Sequence, residues 1–192
     1  MQNELAQPSV ESNNVLQSQL LLMRQQIEYH LSRSQIAAKQ LLGLKCSPYE
    51  QCHQAVSAFS RLYQDKQIQV QIDIDADLAV AVDSRDFDEM LGNLIENAFK
   101  WALQSIVISA HIESDGQDKR LAICVADDGQ GMTETQCQWV MQRGLRLDEQ
   151  TAGHGLGLNI VVQMVNLYQG EISLTPSAMG GLAATVLLPL RS

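Results

Sequence analysis

The spacing of apolar residues changes abruptly along this chain, and that change limits the possible folds more than any other feature. Apolar and polar residues alternate strictly over residues 68–74, which predicts a half-buried strand. Over residues 86–101 the apolar side chains instead fall on one stripe of a helix, with Ser84 as a candidate N-cap. Such a chain is expected to pack helices against a sheet.

The remaining segments extend this pattern of strands interrupted by helices. Short apolar or alternating runs predict further strands at residues 79–82, 106–112, 121–125, 171–175 and 182–188. Helical spacing predicts helices at residues 50–64 and 156–168, the second closed by Gly170 at the C′ position. Because short turns join the strand pairs, we expect an α+β fold: a two-layer sandwich in which helices cover one face of a mixed, mainly antiparallel sheet.

The N-terminal part of the chain has a different character. Residues 12–42 contain neither Pro nor Gly. Two sets of positions in and next to this stretch recur every seven residues: Leu16, Met23, His30, Ala37 and Leu44, and Leu20, Ile27, Ser34 and Leu41. This heptad pattern predicts one long helix that packs against a partner helix in a bundle or a dimer. We therefore divide the chain into a helical segment at residues 1–45 and a separate domain at residues 46–192.

The charge balance excludes one class of partner. The chain has 192 residues, with 13 Lys+Arg against 22 Asp+Glu, and a net charge of -9. An acidic chain repels a phosphate backbone, so no nucleic-acid partner is expected. No apolar run approaches the roughly 18 to 20 residues needed to cross a bilayer. The 4 cysteines have neither the spacing of a zinc site nor that of a disulfide framework.

Three polar residues border the apolar stripe of the helix predicted at residues 86–101. Asn93, Asn97 and Lys100 are spaced by four and then three positions, so they project from one side of the helix. Asparagines at this spacing are also ordinary residues of a helix surface. As a group, the three offer amide oxygens, which Mg²⁺ accepts as ligands, beside an ammonium group that can meet phosphate.

A glycine-rich motif, Asp127-Asp128-Gly129-Gln130-Gly131, comes directly after the strand predicted at residues 121–125. Glycine at the end of a strand lets the backbone approach a ligand. A buried carboxylate there can accept a hydrogen bond from an exocyclic amine such as N6 of adenine. The alternative interpretation is an Asp-Gly turn without a ligand.

A second glycine-rich motif, Gly153-His154-Gly155-Leu156-Gly157, precedes the helix predicted at residues 156–168. Glycines at the start of a helix expose backbone N–H groups that bind phosphate, aided by the helix dipole. The motif lacks the βαβ unit of a dinucleotide-binding fold and the lysine of a P-loop. It therefore indicates a different kind of phosphate site.

In this order, the Asn/Asn/Lys helix and the two glycine motifs resemble the GHKL superfamily of ATP-binding domains, whose fold is called the Bergerat fold. The superfamily includes sensor histidine kinases, gyrase-type ATPases, Hsp90 chaperones and mismatch-repair ATPases. The resemblance implies ATP and Mg²⁺ as cofactors, with Asn97 as the metal ligand. It assigns the remaining contacts as follows: Asn93 and Lys100 to the phosphates, Asp127 with Gly129 and Gly131 to adenine, and Gly153, Gly155, Leu156 and Gly157 to the hinge of a mobile lid.

Within this superfamily, the ATPases carry a glutamate, the general base for water, at the position of Asn93. An amide cannot take a proton from water at neutral pH, so the resemblance favours phosphoryl transfer to a protein over hydrolysis. Residues 92–101 resemble the N-box of sensor histidine kinases, with Trp101 in place of the usual Tyr or Phe. Arg143 and Arg146 lie in the corresponding lid, where they and Lys100 would stabilise charge on the transferred phosphoryl group.

The resemblance to sensor histidine kinases also implies partners. These are an acceptor-histidine helix of the same kinase, a response regulator and a second copy that forms a homodimer through the N-terminal helix. None of the histidines is followed by the acidic residue and proline of an acceptor site: His30, His53, His111 and His154. We therefore expect residues 1–45 to be the second helix of the dimerising hairpin, with the acceptor helix missing from this chain. The segment would be the cytoplasmic portion of a bacterial inner-membrane protein.

Three other functions remain open at this point. The chain could be a nucleotide-binding regulatory module of the anti-sigma type, a pseudokinase scaffold or an ATPase of the same superfamily. The intact motif residues Asn97 and Asp127 argue against a scaffold that no longer binds nucleotide. The long heptad helix argues against an anti-sigma module and favours a hairpin bundle.

Overall fold

The computed structural model describes residues 45–115, 118–144 and 156–190. The predicted N-terminal helix lies outside these residues, as do Arg146, Gly153 and Gly155. Arg143 and Leu156 belong to described helices, but the description there is limited to the backbone. The division of the chain at residue 45 therefore stays a prediction.

Within the described residues, five strands form one sheet. They are β1 (Gln69–Ile74), β2 (Ser105–Asp115), β3 (Asp118–Asp127), β4 (Glu171–Pro176) and β5 (Leu182–Leu190). The strands lie in the order β1-β2-β3-β5-β4. The first pair is parallel and the other three are antiparallel, so the prediction of a mixed, mainly antiparallel sheet is confirmed.

Four α-helices of the described part of the chain pack with this sheet. They are α1 (Pro48–Leu62), α2 (Ser84–Trp101), α3 (Glu134–Gly144) and α4 (Leu156–Leu167), with a short 3₁₀ helix at Gln64–Lys66. Alternate residues of the central strands are buried, among them Ile123 and Val125 on β3 and Val186 and Leu188 on β5. These side chains share one core with the apolar stripe of α2. The α+β sandwich expected from the sequence is the observed fold.

Both ends of α2 are held by side chains from elsewhere in the chain. At its start, the buried Tyr168 hydroxyl donates to Asp86 Oδ2 at 2.7 Å and accepts from the Asp83 backbone N–H at 3.3 Å. Burial, and next the hydrogen bond to Asp86, raise the pKa of Tyr168, so the hydroxyl stays a neutral donor. At its end, Lys66 Nζ lies within 2.6 to 3.3 Å of the carbonyl oxygens of Phe99, Lys100 and Ala102. These hydrogen bonds fix both ends of α2 and thereby position the polar residues along the helix.

Two local predictions about α2 and the segment before it are wrong. The N-cap of α2 is Asp83 rather than Ser84, because Asp83 Oδ1 accepts from the backbone N–H groups of Arg85 and Asp86. Residues 79–82 do not form a strand. Among the residues that the structure describes, Val80 makes an isolated antiparallel bridge to Cys46, and no neighbouring pair extends it.

Helix α3 was not predicted from its spacing, yet the sequence contains a signal for it. Thr133 and Gln136 form a capping box: the Gln136 backbone N–H donates to Thr133 Oγ1 at 3.3 Å, and the Thr133 backbone N–H donates to Gln136 Oε1 at 2.8 Å. The segment that contains Thr133 and Gln136 is mostly polar, so the spacing of apolar residues did not indicate a helix there. The helix matters because it lines the site described below.

The end of α4 is one residue away from its predicted geometry. Gln169, not Gly170, adopts the left-handed conformation, with φ of 58°. The Gly170 N–H donates to the Val165 carbonyl and the Gln169 N–H to the Asn166 carbonyl, which is a Schellman motif. Glycine is required at position 170 for another reason, because a Cβ there would overlap the Leu187 carbonyl oxygen of β5.

Candidate functional site

A cavity of about 220 Å³ lies where α2 ends, β3 ends, β5 begins and α3 passes over them. Its walls come from all four elements and from the loop after β3. They are Trp101, Asp127, Gln130, Gly131, Met132, Gln136, Trp139, Val140 and Leu182. Most of these side chains are apolar or aromatic, with a single carboxylate among them, which is the usual composition of a site for a flat organic ligand.

The carboxylate of the cavity belongs to Asp127, which is only 2% exposed. Its Oδ1 accepts hydrogen bonds from the backbone N–H groups of Gly129 at 2.8 Å and Leu182 at 3.3 Å. Burial raises the pKa of the Asp127 carboxyl, and these two hydrogen bonds only partly oppose that effect. Because both bonds go to Oδ1, a ligand that donates a hydrogen bond to Oδ2 would stabilise the buried charge.

Glycine backbone surrounds Asp127 closely. A Cβ on Gly181 would overlap both Asp127 Oδ1 and the Asp127 carbonyl oxygen, so no larger residue fits in the turn before β5. Gly131, with φ of 66°, lies in the cavity wall against that same turn. The second glycine of the D-x-G-x-G motif thus shapes the wall, while Gly129 supplies a hydrogen-bond donor to the carboxylate.

The neighbouring carboxylate, Asp128, points into a different environment. Its Oδ1 accepts from the backbone N–H groups of Leu103 at 2.8 Å and Gln104 at 3.0 Å. Burial by itself would raise the pKa of Asp128, but backbone hydrogen bonds, chiefly from Gln104 and Ser105, outweigh it and lower the pKa. Asp128 therefore fastens the connection between α2 and β2, whereas Asp127 faces the cavity.

The polar residues of α2 meet the start of α4. Asn93 Nδ2 donates to the Glu89 carbonyl at 2.7 Å, and a Cβ built on Gly157 would lie 2.9 Å from Asn93 Oδ1. The first and third sequence motifs are therefore in direct contact. Asn97 is half-buried one turn further along α2. Lys100 is exposed, and its Nζ lies 5.4 Å from the centroid of the ring of Trp101, which lines the cavity.

The amide oxygens on α2 fit a metal site in which most ligands come from phosphate and water. Within the described residues, no group of three or more His, Cys, Asp and Glu side chains could hold a metal ion by itself. A cation beside Asn97 would have an amide oxygen as its protein ligand and would take its other ligands from phosphate and water. Mg²⁺ is bound in this way in many phosphate-transferring proteins.

The structure also brings to the cavity residues that the sequence motifs did not single out. Met132, Gln136, Trp139 and Val140 come from α3 and the loop before it, and Leu182 comes from the start of β5. The capping box of α3 and the Gly-Gly pair before β5 are the signals that could have located them. Trp101, which the sequence placed in the N-box, lines the same cavity.

Comparison with known proteins identifies the family. Residues 82–192 match the family described as histidine kinase-, DNA gyrase B-, and HSP90-like ATPase. The chain belongs to this family. It is 34% identical to the sensor protein kinase CarS of Pseudomonas aeruginosa over 94% of the chain, and 30% identical to the sensor protein PhoQ of Escherichia coli over 92%. The resemblance to sensor histidine kinases inferred from the motifs is confirmed.

Both of these relatives are longer than this chain. The chain spans 40% of CarS and 36% of PhoQ. Among solved structures, the ATP-binding domain of PrrB from Mycobacterium tuberculosis has a TM-score of 0.62 and 23% identity, with 78% of this chain and 98% of that domain covered. That structure supports the fold. None of the described helices has the length and apolar character required to span a membrane.

Proposed function

We propose that this chain is the ATP-binding catalytic region of a two-component sensor histidine kinase. It would transfer the γ-phosphoryl group of ATP to a histidine on an acceptor helix. Two observations carry the proposal: the cavity with the buried Asp127 carboxylate, and the contact between Asn93 and Gly157. The nucleotide base would lie in the cavity, and the phosphates would lie near the contact between Asn93 and Gly157.

In this proposal, Asp127 recognises adenine. Its Oδ2 accepts a hydrogen bond from the exocyclic N6 amine, and the base lies between the apolar walls of the cavity. The backbone N–H groups of Gly129 and Leu182 hold Oδ1, so the carboxylate is already oriented before the nucleotide binds. Pre-orientation reduces the entropy lost on binding.

The phosphates lie along α2 toward the start of α4. Asn97 holds Mg²⁺, which when bound neutralises charge on the phosphates, and Asn93 and Lys100 lie beside them. Gly157, together with Gly153, Gly155 and Leu156 in the same motif, supplies backbone N–H groups and the hinge of the lid. Arg143 and Arg146 of the lid stabilise charge on the phosphoryl group during transfer.

Kinase chemistry is favoured over hydrolysis because of Asn93. Its Nδ2 is a hydrogen-bond donor to the Glu89 carbonyl, and its Oδ1 lies against Gly157. An amide in this position has no basic group with which to activate water. The similarity to CarS and PhoQ extends beyond the ATPase-family match toward the N-terminus and supports the same interpretation.

The proposal includes partners and a location that belong to the intact protein. Residues 1–45 form the second helix of a dimerising hairpin, and residues 46–192 form the catalytic domain. A homodimer of the intact kinase brings an acceptor histidine to the bound ATP, and a response regulator then receives the phosphoryl group. The chain is the cytoplasmic portion of a protein anchored in the bacterial inner membrane.

Calorimetry with Mg·ATP tests the nucleotide site. Asn97→Ala should weaken binding by about tenfold or more, because it removes the protein ligand of the metal. Asn166→Ala, an exposed asparagine near the other end of α4, is the matched control and should bind like the wild type. In EDTA the wild type and Asn97→Ala should differ little. Equal Mg·ATP affinity for all three proteins would contradict the assignment of Asn97.

Phosphoryl transfer is tested separately. The chain is incubated with labelled ATP and a sensor-kinase fragment that carries an acceptor histidine. Acid-labile label on that fragment is the expected result, since a phosphohistidine is unstable in acid. ATP binding without transfer to any acceptor fragment would favour a nucleotide-binding regulatory module over a kinase.

A further inference from the structure

Both tryptophans of the chain line the same cavity. Trp101 is the last residue of α2 and is 37% exposed, whereas Trp139 lies on α3 and is 56% exposed. Two separate elements therefore present indole rings to one small space. Exposed indole surface gains free energy when a flat ring covers it.

The carboxylate of Asp127 does not by itself select adenine. A buried carboxylate oxygen accepts a hydrogen bond from any exocyclic amine, and adenine and cytosine both carry one next to a ring nitrogen. Asp127 would thus accept ATP and CTP but not a base that presents a carbonyl at that position. A second feature of the cavity is needed to distinguish the two bases.

We propose that Trp139 makes this cavity select a purine over a pyrimidine that carries the same amine. The inference rests on the proposed function, because it requires a nucleotide base in the cavity. The indole of Trp139 stacks on the two fused rings of adenine and contacts less of the single ring of cytosine. Trp139 is then a specificity-determining residue, and Asp127 recognises the amine that both bases share.

The position of Trp139 on α3 supports this role. The capping box between Thr133 and Gln136 fixes the start of α3, and Trp139 follows Gln136 by three residues, so both project toward the cavity. Val140, the next residue, continues the apolar wall. The helix thus holds the indole at the cavity mouth without burying it in the core.

Affinities of the full chain for ATP, CTP and inorganic tripolyphosphate test the inference. Trp139→Ala should weaken ATP binding about tenfold, within the range measured for aromatic stacking on a base. The same variant should weaken CTP binding less than about threefold and leave tripolyphosphate unchanged, because that probe has no base. Trp139→Phe should lie between Trp139→Ala and the wild type. Leu62 is an exposed apolar residue outside the cavity, so Leu62→Ala is the control and should change none of the three affinities.

Asp127→Asn provides the complementary pattern. It should weaken ATP and CTP by similar factors, so the ratio of their affinities stays near the wild-type value. Fluorescence gives a second measurement: in Trp101→Phe, the remaining Trp139 should be quenched more strongly by adenosine than by cytidine.

Two results would overturn the inference. One is an ATP-to-CTP affinity ratio that is the same in the wild type, Trp139→Ala and Trp139→Phe. The other is Trp139 fluorescence that does not respond to adenosine. Loss of the melting transition of Trp139→Ala, measured by circular dichroism, would mean that this variant does not fold. The ATP-to-CTP affinity ratio of Trp139→Phe then decides the test. A wild-type chain that binds no ATP would overturn the proposed function together with the inference, whereas ATP binding with an unchanged ratio would overturn the inference alone.

Discussion

Two adjacent aspartates at the end of β3 have opposite roles that follow from their surroundings. Asp127 is buried at the cavity, and burial raises its pKa. Asp128 lies at the α2–β2 connection, where backbone hydrogen bonds outweigh burial and lower its pKa. The ionised form of Asp127 thus costs the folded state free energy, while the ionised form of Asp128 stabilises it. Side chains of the same type, one residue apart, are expected to respond differently to the same substitution.

Substitution of each aspartate by asparagine should separate binding from stability. Asp127→Asn should lose about 1 to 3 kcal/mol of ATP binding, since its amide presents a donor to the adenine amine. Asp128→Asn should bind ATP nearly as well as the wild type but lose about 1 kcal/mol of stability, because the backbone donors of Leu103 and Gln104 lose a charged acceptor. Calorimetry and urea denaturation at pH 7 measure the two effects. Equal, small losses of ATP affinity would mean that the motif is a turn and not a site.

The pH dependence of these variants has a defined sign. The pKa of Asp128 is lower in the folded state than its ordinary value of 3.8, so its contribution to stability is present above that value and is lost as pH falls through the folded pKa. The stability difference between wild type and Asp128→Asn should therefore shrink toward pH 3. For Asp127 the pKa is raised, so its ionised form lowers stability as pH rises through the folded pKa. Asp127→Asn should accordingly keep its stability at pH 7.

At the scale of single elements, two glycines in helical regions have opposite consequences. Gly92 is in the middle of α2, and a Cβ there would meet no atom within 4 Å. Gly170 closes the Schellman motif of α4, and a Cβ there would overlap the Leu187 carbonyl oxygen and lie 2.9 Å from Leu188 Cδ2. The first glycine only lowers helix propensity, whereas the second lets α4 pack against β5.

Gly92→Ala should raise the free energy of unfolding by about 1 kcal/mol, the helix-propensity difference between the two residues. Gly170→Ala should lower it by about 1 to 3 kcal/mol, because the backbone of α4 or β5 must shift to admit the methyl group. Guanidinium denaturation of the two variants beside the wild type gives both values. A destabilised Gly92→Ala would indicate that α2 packs more tightly around position 92 than the structure describes.

At the scale of the whole molecule, the chain should bind ATP, hydrolyse it slowly and not label itself. Asn93 offers no carboxylate base to water, and none of the histidines has an acceptor context. Phosphate release over hours measures hydrolysis, and an acid-labile phosphate assay after incubation with radiolabelled ATP measures self-labelling. Turnover on the order of 1 per second or more would place the chain among the ATPases. Stoichiometric label on His30 would contradict the expectation that the acceptor lies elsewhere.

Much of this protein could be predicted from residues close together in the sequence. The alternation at residues 68–74 and the helical stripe of α2 set the secondary structure, because side-chain direction repeats with the period of the local backbone. The three motifs also resemble those of the GHKL superfamily, and that resemblance implied a nucleotide site with Asn93, Asp127 and Gly157 as parts of it. These signals depend on spacings of a few residues and do not require knowledge of the packing.

Only the tertiary structure decided how those parts meet. The hydrogen bond from the Leu182 N–H to Asp127 joins residues 55 apart. Helix α3 carries Trp139 to a cavity whose other walls come from α2, β3, β5 and the loop after β3. The wrong prediction of a strand at residues 79–82 has the same origin. An apolar run becomes a strand only where a neighbour offers a ladder of partners, and within the described part of the chain Val80 pairs with Cys46 in an isolated bridge. Spacing along the chain determines which face a side chain occupies. Packing between distant segments determines what that face touches.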